Sequence, residues 1–391
     1  MTSQKKPIPK LDYGIILTVM LMMIASVIVI YSAQTTGQYD RNFVLNQIMW
    51  YVIGGFVAAF AMQFDSDQLR KVSWYLYGFG LLMLIILFLA PGNWELTEER
   101  NGAQSWFFIP KVGAIQPSEL MKVFTILVLA KVTADHHVKF FRKTTKTDFW
   151  LLVKLGIIVA APVAFILKQP DLGTSLVFLA IFLGIVFVSG ITWKLLLPIF
   201  SAVSLFGGMV LYFAIKKPEL LKYVGVQQYQ FKRIYSWIDP YTYQSKEGFQ
   251  LVKSLLAIGS GQTSGKGFGN REVYMPESHS DFIFSTLGEE FGFIGGSIII
   301  SLFFLLIYQI TRVGLDTKNP FYSYICVGVI SMITFHVFQN IGMTIGLLPI
   351  TGIPLPFISY GGSSLLSNMM AIGLILSVRY HYKKYMFSSE E

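Results

Sequence analysis

Ten apolar runs, each close to the roughly 20 residues that cross a bilayer's ~30 Å hydrocarbon core, constrain this chain most: 13–31, 48–64, 74–90, 120–132, 150–167, 174–189, 194–215, 291–310, 322–342 and 364–378. In lipid every backbone amide and carbonyl must be satisfied within its own segment, so such runs fold as helices. Composition agrees, since only 14% of the 391 residues are charged, against about 25% in soluble domains. The expected fold class is an all-α polytopic integral membrane protein with ten transmembrane helices. The first run exceeds the roughly 7–15 residues of a signal-peptide core and is followed by many more. The single cysteine, Cys326, lies inside an apolar run, which excludes a disulfide framework and a thiolate metal site.

Ten crossings put both termini on one side, and the distribution of cations says which. The terminal side carries Lys5, Lys6, Lys10, Arg70, Lys71, Lys139, Arg142, Lys143, Lys146, Lys194, Arg312, Lys318, Arg379, Lys383 and Lys384, against Arg41, Arg100, Lys111 and Lys168 opposite. Both termini are therefore expected in the cytoplasm. The net charge of +9 then orients the protein and meets anionic headgroups; no nucleic-acid partner is expected. Segment 216–280 faces outward although it is basic, because long loops translocate regardless of charge. Within it, 247–258 (EGFQLVKSLLAI) has apolar residues at helical spacing and predicts an amphipathic interfacial helix. The run 281–311 would be about 46 Å long as one helix, too long for an upright span, so a break near Gly288, Gly292 or Gly295 is expected. With no soluble domain or clear repeat, 1–391 is expected to be a single membrane domain.

Chemistry concentrates in 259–296, where glycines, cations and carboxylates interrupt the apolar pattern. Charged, irregular backbone beside lipid is tolerated where it lines a watery cavity or a site. Asp281 has two compatible readings: Ser278-x-x-Asp281 as a helix capping box, or a general base at the rim of a low-dielectric cavity beside Glu277, His279, Lys266 and Arg271. The glycines at 259–269 are not a phosphate loop, because Ser260 and Gly267 stand where that motif needs Gly and Ser or Thr. Flexible backbone with Lys266 and Arg271 approaching a diphosphate and a plain loop are the two readings left.

Glu119 and Lys122 in QPSELMK (116–122) form either an intrahelical ion pair or a lysine held toward a substrate. Asp171 in QPDLGT reads as a helix cap. Asp65-Ser66-Asp67 reads as a solvated turn despite its likeness to a metal-binding DxD. His136 and His137 lack metal-ligand spacing. His336, Gln339 and Asn340 share a helix face and suit interhelical hydrogen bonds. Segment 346–364, GLLPITGIPLPFISYGGSS, cannot be a regular helix; it is either a re-entrant loop or the wall of a groove, with Ser359, Gly361, Gly362 and Ser363 as substrate contacts.

Seven motifs in register, GAQSWF (102–107), QPSELMK, QPDLGT, AIGSG (257–261), GKGFGN (265–270), PESHSDFIFSTLGEEFGFIG (276–295) and NIGMTIGLLPITGIPLPFISYGGSS (340–364), make the chain resemble the SEDS family (shape, elongation, division, sporulation). The wording around GKGF and YMPESHSDFIFS is nearer to its elongation members, although GKGFGNREVYMPES is shorter and less glycine-rich than in many of them. The resemblance implies a membrane glycosyltransferase that polymerises lipid II, a disaccharide-pentapeptide on undecaprenyl diphosphate, at the outer face of the bacterial cytoplasmic membrane. It puts the catalytic aspartate on Asp281 and the pair beside the cavity on Glu119 and Lys122. It implies a class B penicillin-binding protein as transpeptidase partner, within the elongation machinery. On charge placement, Lys122, Arg233, Lys266 and Arg271 are expected to stabilise the departing diphosphate, with a divalent cation, Mg or Mn, as an optional addition. A lipid II flippase and a scaffold for the partner are the rival readings.

Overall fold

The computed structural model describes residues 11–35, 42–90, 96–97, 104–109, 113–140, 142–216, 228–243, 245 and 248–381. The expectations resting on Lys5, Lys6, Lys10, Arg41, Arg100, Lys111, Lys383 and Lys384 lie outside them. The described chain is helical: α1 (Tyr13–Gln34), α2 (Phe43–Met62), α3 (Ser66–Leu89), α4 (Pro117–Lys139), α5 (Thr145–Lys168), α6 (Leu172–Val188), α7 (Trp193–Lys216), α8 (Gln228–Ile238), α9 (Phe249–Ser260), α10 (Ile283–Asp316), α11 (Pro320–Thr344) and α12 (Gly362–Tyr380). A two-stranded antiparallel hairpin, β1 (Phe107–Ile109) and β2 (Gly113–Ile115), is inserted before α4. Each of the ten apolar runs falls on one of these helices. Seven helices, α1, α2, α3, α5, α10, α11 and α12, are long and apolar enough to cross a membrane.

Helix starts follow the local sequence. Asp12, Asn42, Asp65, Thr144, Asp171 and Asn319 each accept first-turn amides with their side chains, which satisfies donors that a helix cannot. Asp65 makes a full capping box with Gln68, so Asp65-Ser66-Asp67 is the N-cap and first turn of α3 where a solvated turn was expected. Pro117 and Pro320 occupy first turns, where the missing amide costs nothing.

α4 is the axis of the bundle. It is buried on nearly all sides from Pro117 to Ala130 and packs against α3, α5, α6, α11 and α12. A helix so enclosed needs no polar face, and the ionisable groups it carries inward must find partners in the protein. α12 lies in close contact with α2, where a Cβ on Gly373 would come within 2.6 Å of Ala58 O. α10 packs on α1 and α11 and is broken at Gly292 (φ 61°, ψ −157°), one of the three expected positions. The helix expected at 247–258 is found as α9, with Leu251, Val252, Ser254 and Ala257 buried against α10 and α11. Ser254 Oγ is within 2.6 Å of both Ser285 Oγ and Thr344 O, so the helix is docked into the bundle. Neither the hairpin nor α8 was foreseen, because both are short and lack a long apolar period.

Candidate active site around Asp281

Asp281 sits in the turn that leads into α10, and that turn is held by the irregular segment 346–361 and by residues of α2 and α11. Tyr360 N donates to His279 O at 2.9 Å, Ser359 Oγ donates to Ser280 O at 2.7 Å, and Leu355 N donates to Ser359 Oγ at 2.8 Å. Asn340 Nδ2, on α11, donates to both Asp281 O and Ile353 O at 2.8 Å. The His279 ring stacks on Phe43 of α2 with centroids 4.2 Å apart. Segments 277–282 and 346–361 are thereby fastened to each other and to α2 and α11. Two non-glycine residues on these segments, Glu277 (φ 55°) and Phe357 (φ 62°), occupy the left-handed region, which costs roughly 1–3 kcal/mol apiece and marks a conformation imposed by its surroundings.

The Asp281 carboxylate is half-buried and makes no hydrogen bond among the described residues. It does not cap α10: the N-cap residue is Phe282, without a side-chain bond, and Ser278 Oγ has no hydrogen-bond partner among the described residues. The capping-box reading therefore fails. Burial, followed by the negative charge of Glu277, pushes the Asp281 carboxyl up to about 7, with Arg233 opposing and Asp171 adding to the rise. Arg233 comes from α8, where its Nη1 donates to Ile350 O and Thr351 O at 3.2 Å. Asp171 caps α6 as expected, accepting Thr174 N at 2.9 Å and Thr174 Oγ1 at 2.7 Å. It also accepts Gln116 Nε2 at 3.1 Å, which joins the QPDLGT and QPSELMK motifs.

The other expected site residues are distributed around this centre. Lys122 is 1% exposed and paired with Glu119 at 2.8 Å, and its Nζ lies 3.0 Å from His336 Nε2. Because His336 Nδ1 donates to Met332 O at 2.7 Å, Nε2 is left to accept from Lys122. His336 lies one turn along α11 from Asn340, so the ion pair is packed beneath the Asp281 turn and is enclosed by protein. Ser363 Oγ donates to Ala114 O at 3.1 Å and accepts Gln116 N at 2.9 Å, tying β2 and the start of α4 to α12. Gly361 is the N-cap residue of α12, and a Cβ on Gly362 would fall 2.2 Å from Trp50.

Lys266 and Arg271 do not join Arg233 and Lys122 in a single cradle. Lys266 Nζ is bound to Glu272 at 2.8 Å and Glu289 at 2.9 Å, and Arg271 Nε to Glu290 at 3.1 Å. Glu289 and Glu290 are about 12 Å along the chain's helical path from Asp281 at 1.5 Å per residue. The carboxylates decide this: Glu289 and Glu290, two turns into α10, take both cations. Of the expected cations, Arg233 alone acts on Asp281.

Residues 12–384 match the profile of the FtsW/RodA/SpoVE family, described as cell cycle proteins. The chain belongs to the SEDS family. Among SEDS relatives it is 35% identical to stage V sporulation protein E of Bacillus subtilis, over 96% of this chain and 98% of that one. It is 32% identical to the probable peptidoglycan glycosyltransferase FtsW of Coxiella burnetii, over 92% of each, and 29% identical to the peptidoglycan glycosyltransferase RodA of Treponema pallidum, over 94% and 97%. The crystal structure of the rod shape determining protein RodA from Thermus thermophilus superposes with a TM-score of 0.67 at 26% identity, over 94% of this chain and 96% of that one. A structure described as a peptidoglycan synthase complex that coordinates polymerization and crosslinking gives 0.74 at 26% identity, over 94% and 97%. The family's fold thus covers nearly the whole chain.

Proposed function

We propose that this SEDS protein is an inverting peptidoglycan glycosyltransferase that polymerises lipid II at the outer face of the bacterial cytoplasmic membrane. In this reading 1–391 is one membrane domain of ten spans with both termini in the cytoplasm, and 216–280 lies outside. The observation that carries it is Asp281, a half-buried carboxylate without a hydrogen-bond partner among the described residues, raised to about 7 and walled by the family's own motifs. A base with that affinity is half deprotonated near neutrality and still takes a proton readily. Asp281 removes the proton from the acceptor sugar's 4-hydroxyl. The oxygen forms a bond to the donor's anomeric carbon as the bond from that carbon to the diphosphate oxygen breaks, and the electron pair leaves with undecaprenyl diphosphate. Arg233, the cation nearest in effect to Asp281, steadies the departing anion. Glu119 and Lys122 serve the site from below, and Ser359, Gly361, Gly362 and Ser363 shape its wall.

The described side chains around Asp281 do not by themselves make a divalent-cation site. Both Asp171 oxygens are taken by Thr174 and Gln116, and the described residues hold no group of three or more His, Cys, Asp or Glu suited to a metal. The likeness to a synthase complex supports a class B penicillin-binding protein as partner. The wording around 265–285 favours cell elongation among the family's roles, whereas the relatives carry elongation, division and sporulation names. The deciding experiment follows polymer formation from purified lipid II by the protein with its cognate penicillin-binding protein. Asp281→Asn is expected to abolish product with folding and partner binding intact. Unchanged product would return Asp281 to a structural role and favour the flippase or scaffold readings.

A further inference from the structure

A break in a helix strands amides and carbonyls on either side of it, and at Gly292 the segment 262–267 supplies the missing partners. Lys266 N and Gly267 N donate to Glu289 O and Glu290 O, both at 3.0 Å. Phe293 N and Ile294 N donate to Gln262 O and Thr263 O at 2.9 and 3.1 Å. The fit excludes side chains: a Cβ on Gly265 (φ 79°) would fall 2.1 Å from Glu290 O, and one on Gly292 2.4 Å from Gly265 N.

Side chains repeat the attachment. Glu289 accepts Lys266 Nζ and Glu272 N at 2.9 Å and Val273 N at 3.2 Å. Arg271 pairs with Glu290, and its Nη2 donates to Ser32 O at 2.9 Å and Ala33 O at 3.1 Å, at the C-terminal end of α1. Ser32 Oγ donates to Glu290 as well. Arg271 Nη1 donates to Thr286 Oγ1 at 3.3 Å, which donates to Ser278 O at 3.2 Å in the Asp281 turn. Glu289 and Glu290 are each 1% exposed, and carboxylates so buried require paired cations. One guanidinium therefore touches α1, the first half of α10 and, through Thr286, the turn that carries Asp281.

We propose that 259–273 is a splint across the break, and that Lys266, Arg271, Glu289 and Glu290 are positioning residues that fix 283–291, and with it Asp281, against α1. They hold the base in place and leave the diphosphate to other groups. The kinetic consequence rests on the glycosyltransferase reading; the mechanical one does not. Segment 283–291 is a rod of about 13 Å, so freeing its Gly292 end displaces the Asp281 end. A misplacement near 1 Å costs about a hundredfold in rate.

The test uses the full-length protein in nanodiscs with its penicillin-binding protein, comparing wild type, Arg271→Ala, Arg271→Lys, Lys266→Met and Asp281→Asn. Hydrogen–deuterium exchange of peptides spanning 259–273 and 283–291 is expected to quicken at least about tenfold in Arg271→Ala and Lys266→Met, with α4 peptides unchanged. The maximal polymerisation rate should fall about tenfold to a hundredfold while KM for lipid II stays within about twofold, and Arg271→Lys should recover part of the rate. Unchanged exchange would overturn the splint. So would a raised KM with the maximal rate kept, because that places the cations on the substrate. If Asp281→Asn polymerised normally, the enzymatic reading would fail while exchange still judged the splint.

Discussion

Asp281 is an aspartate held away from its ordinary value near 3.8, at about 7, and the sign of that shift fixes two outcomes. A general base works deprotonated, so polymerisation should rise with pH through about 7 and fall about tenfold per unit below it. Glu277 raises and Arg233 lowers the carboxyl; the acid limb of the rate profile should therefore move down in Glu277→Gln and up in Arg233→Gln. Unmoved limbs in both variants would assign the limb to another group. The raised value also means that the fold favours the protonated form, so Asp281 weakens stability progressively as pH rises from about 4 to 7. Asp281→Asn should melt higher than wild type at pH 8, with the gap narrowing toward pH 5. Glu119 and Lys122 form a buried ion pair. Each neutralises the other under nearly complete burial, so Glu119→Gln or Lys122→Met alone strands a charge and should cost about 3–5 kcal/mol, whereas the double variant should melt closer to wild type. A double variant that loses as much as the two single variants added together would show that the pair carries no coupling.

At the scale of elements, the site depends on irregular segments that one or two side chains bind together. Asn340 alone satisfies two carbonyls, Asp281 O and Ile353 O. Asn340→Leu leaves both without that donor and should cost about 1–3 kcal/mol, together with loss of polymerisation, measured as a fall in melting temperature and product. Gly292→Ala adds a Cβ at a left-handed residue with backbone 2.4 Å away, so it should release the splint and expose 283–291 to exchange more than Ala substitution at Gly295, whose nearest neighbour is the Phe291 side chain. The break itself was legible, because the apolar run was too long for one span. Its position and its backing were not, since three glycines lie within reach and only the approach of 262–267 selects one.

For the whole molecule, Cys326 is buried and unpaired, so a Cys326→Ala background allows single cysteines to report sidedness. A cysteine at Gln262 should react with an impermeant maleimide added outside cells, and one at Val138 only after permeabilisation; the reverse pattern would invert the proposed topology. What the sequence by itself determined was the ten apolar helices and α9, the cap at Asp171 and the family, because hydrophobic period, capping chemistry and contiguous motifs are local properties of the chain. The tertiary structure decided which charges meet. Lys266 and Arg271 look like free cations in a glycine-rich loop until helix α10 brings Glu289 and Glu290 beneath them. Arg233, grouped by charge with Lys122, Lys266 and Arg271, is set apart from them only when α8 places it on the 350–351 carbonyls near Asp281. Pairing between ionisable groups depends on distances of a few ångströms between segments far apart in the chain, and burial decides their strength. Neither quantity exists until the helices have packed.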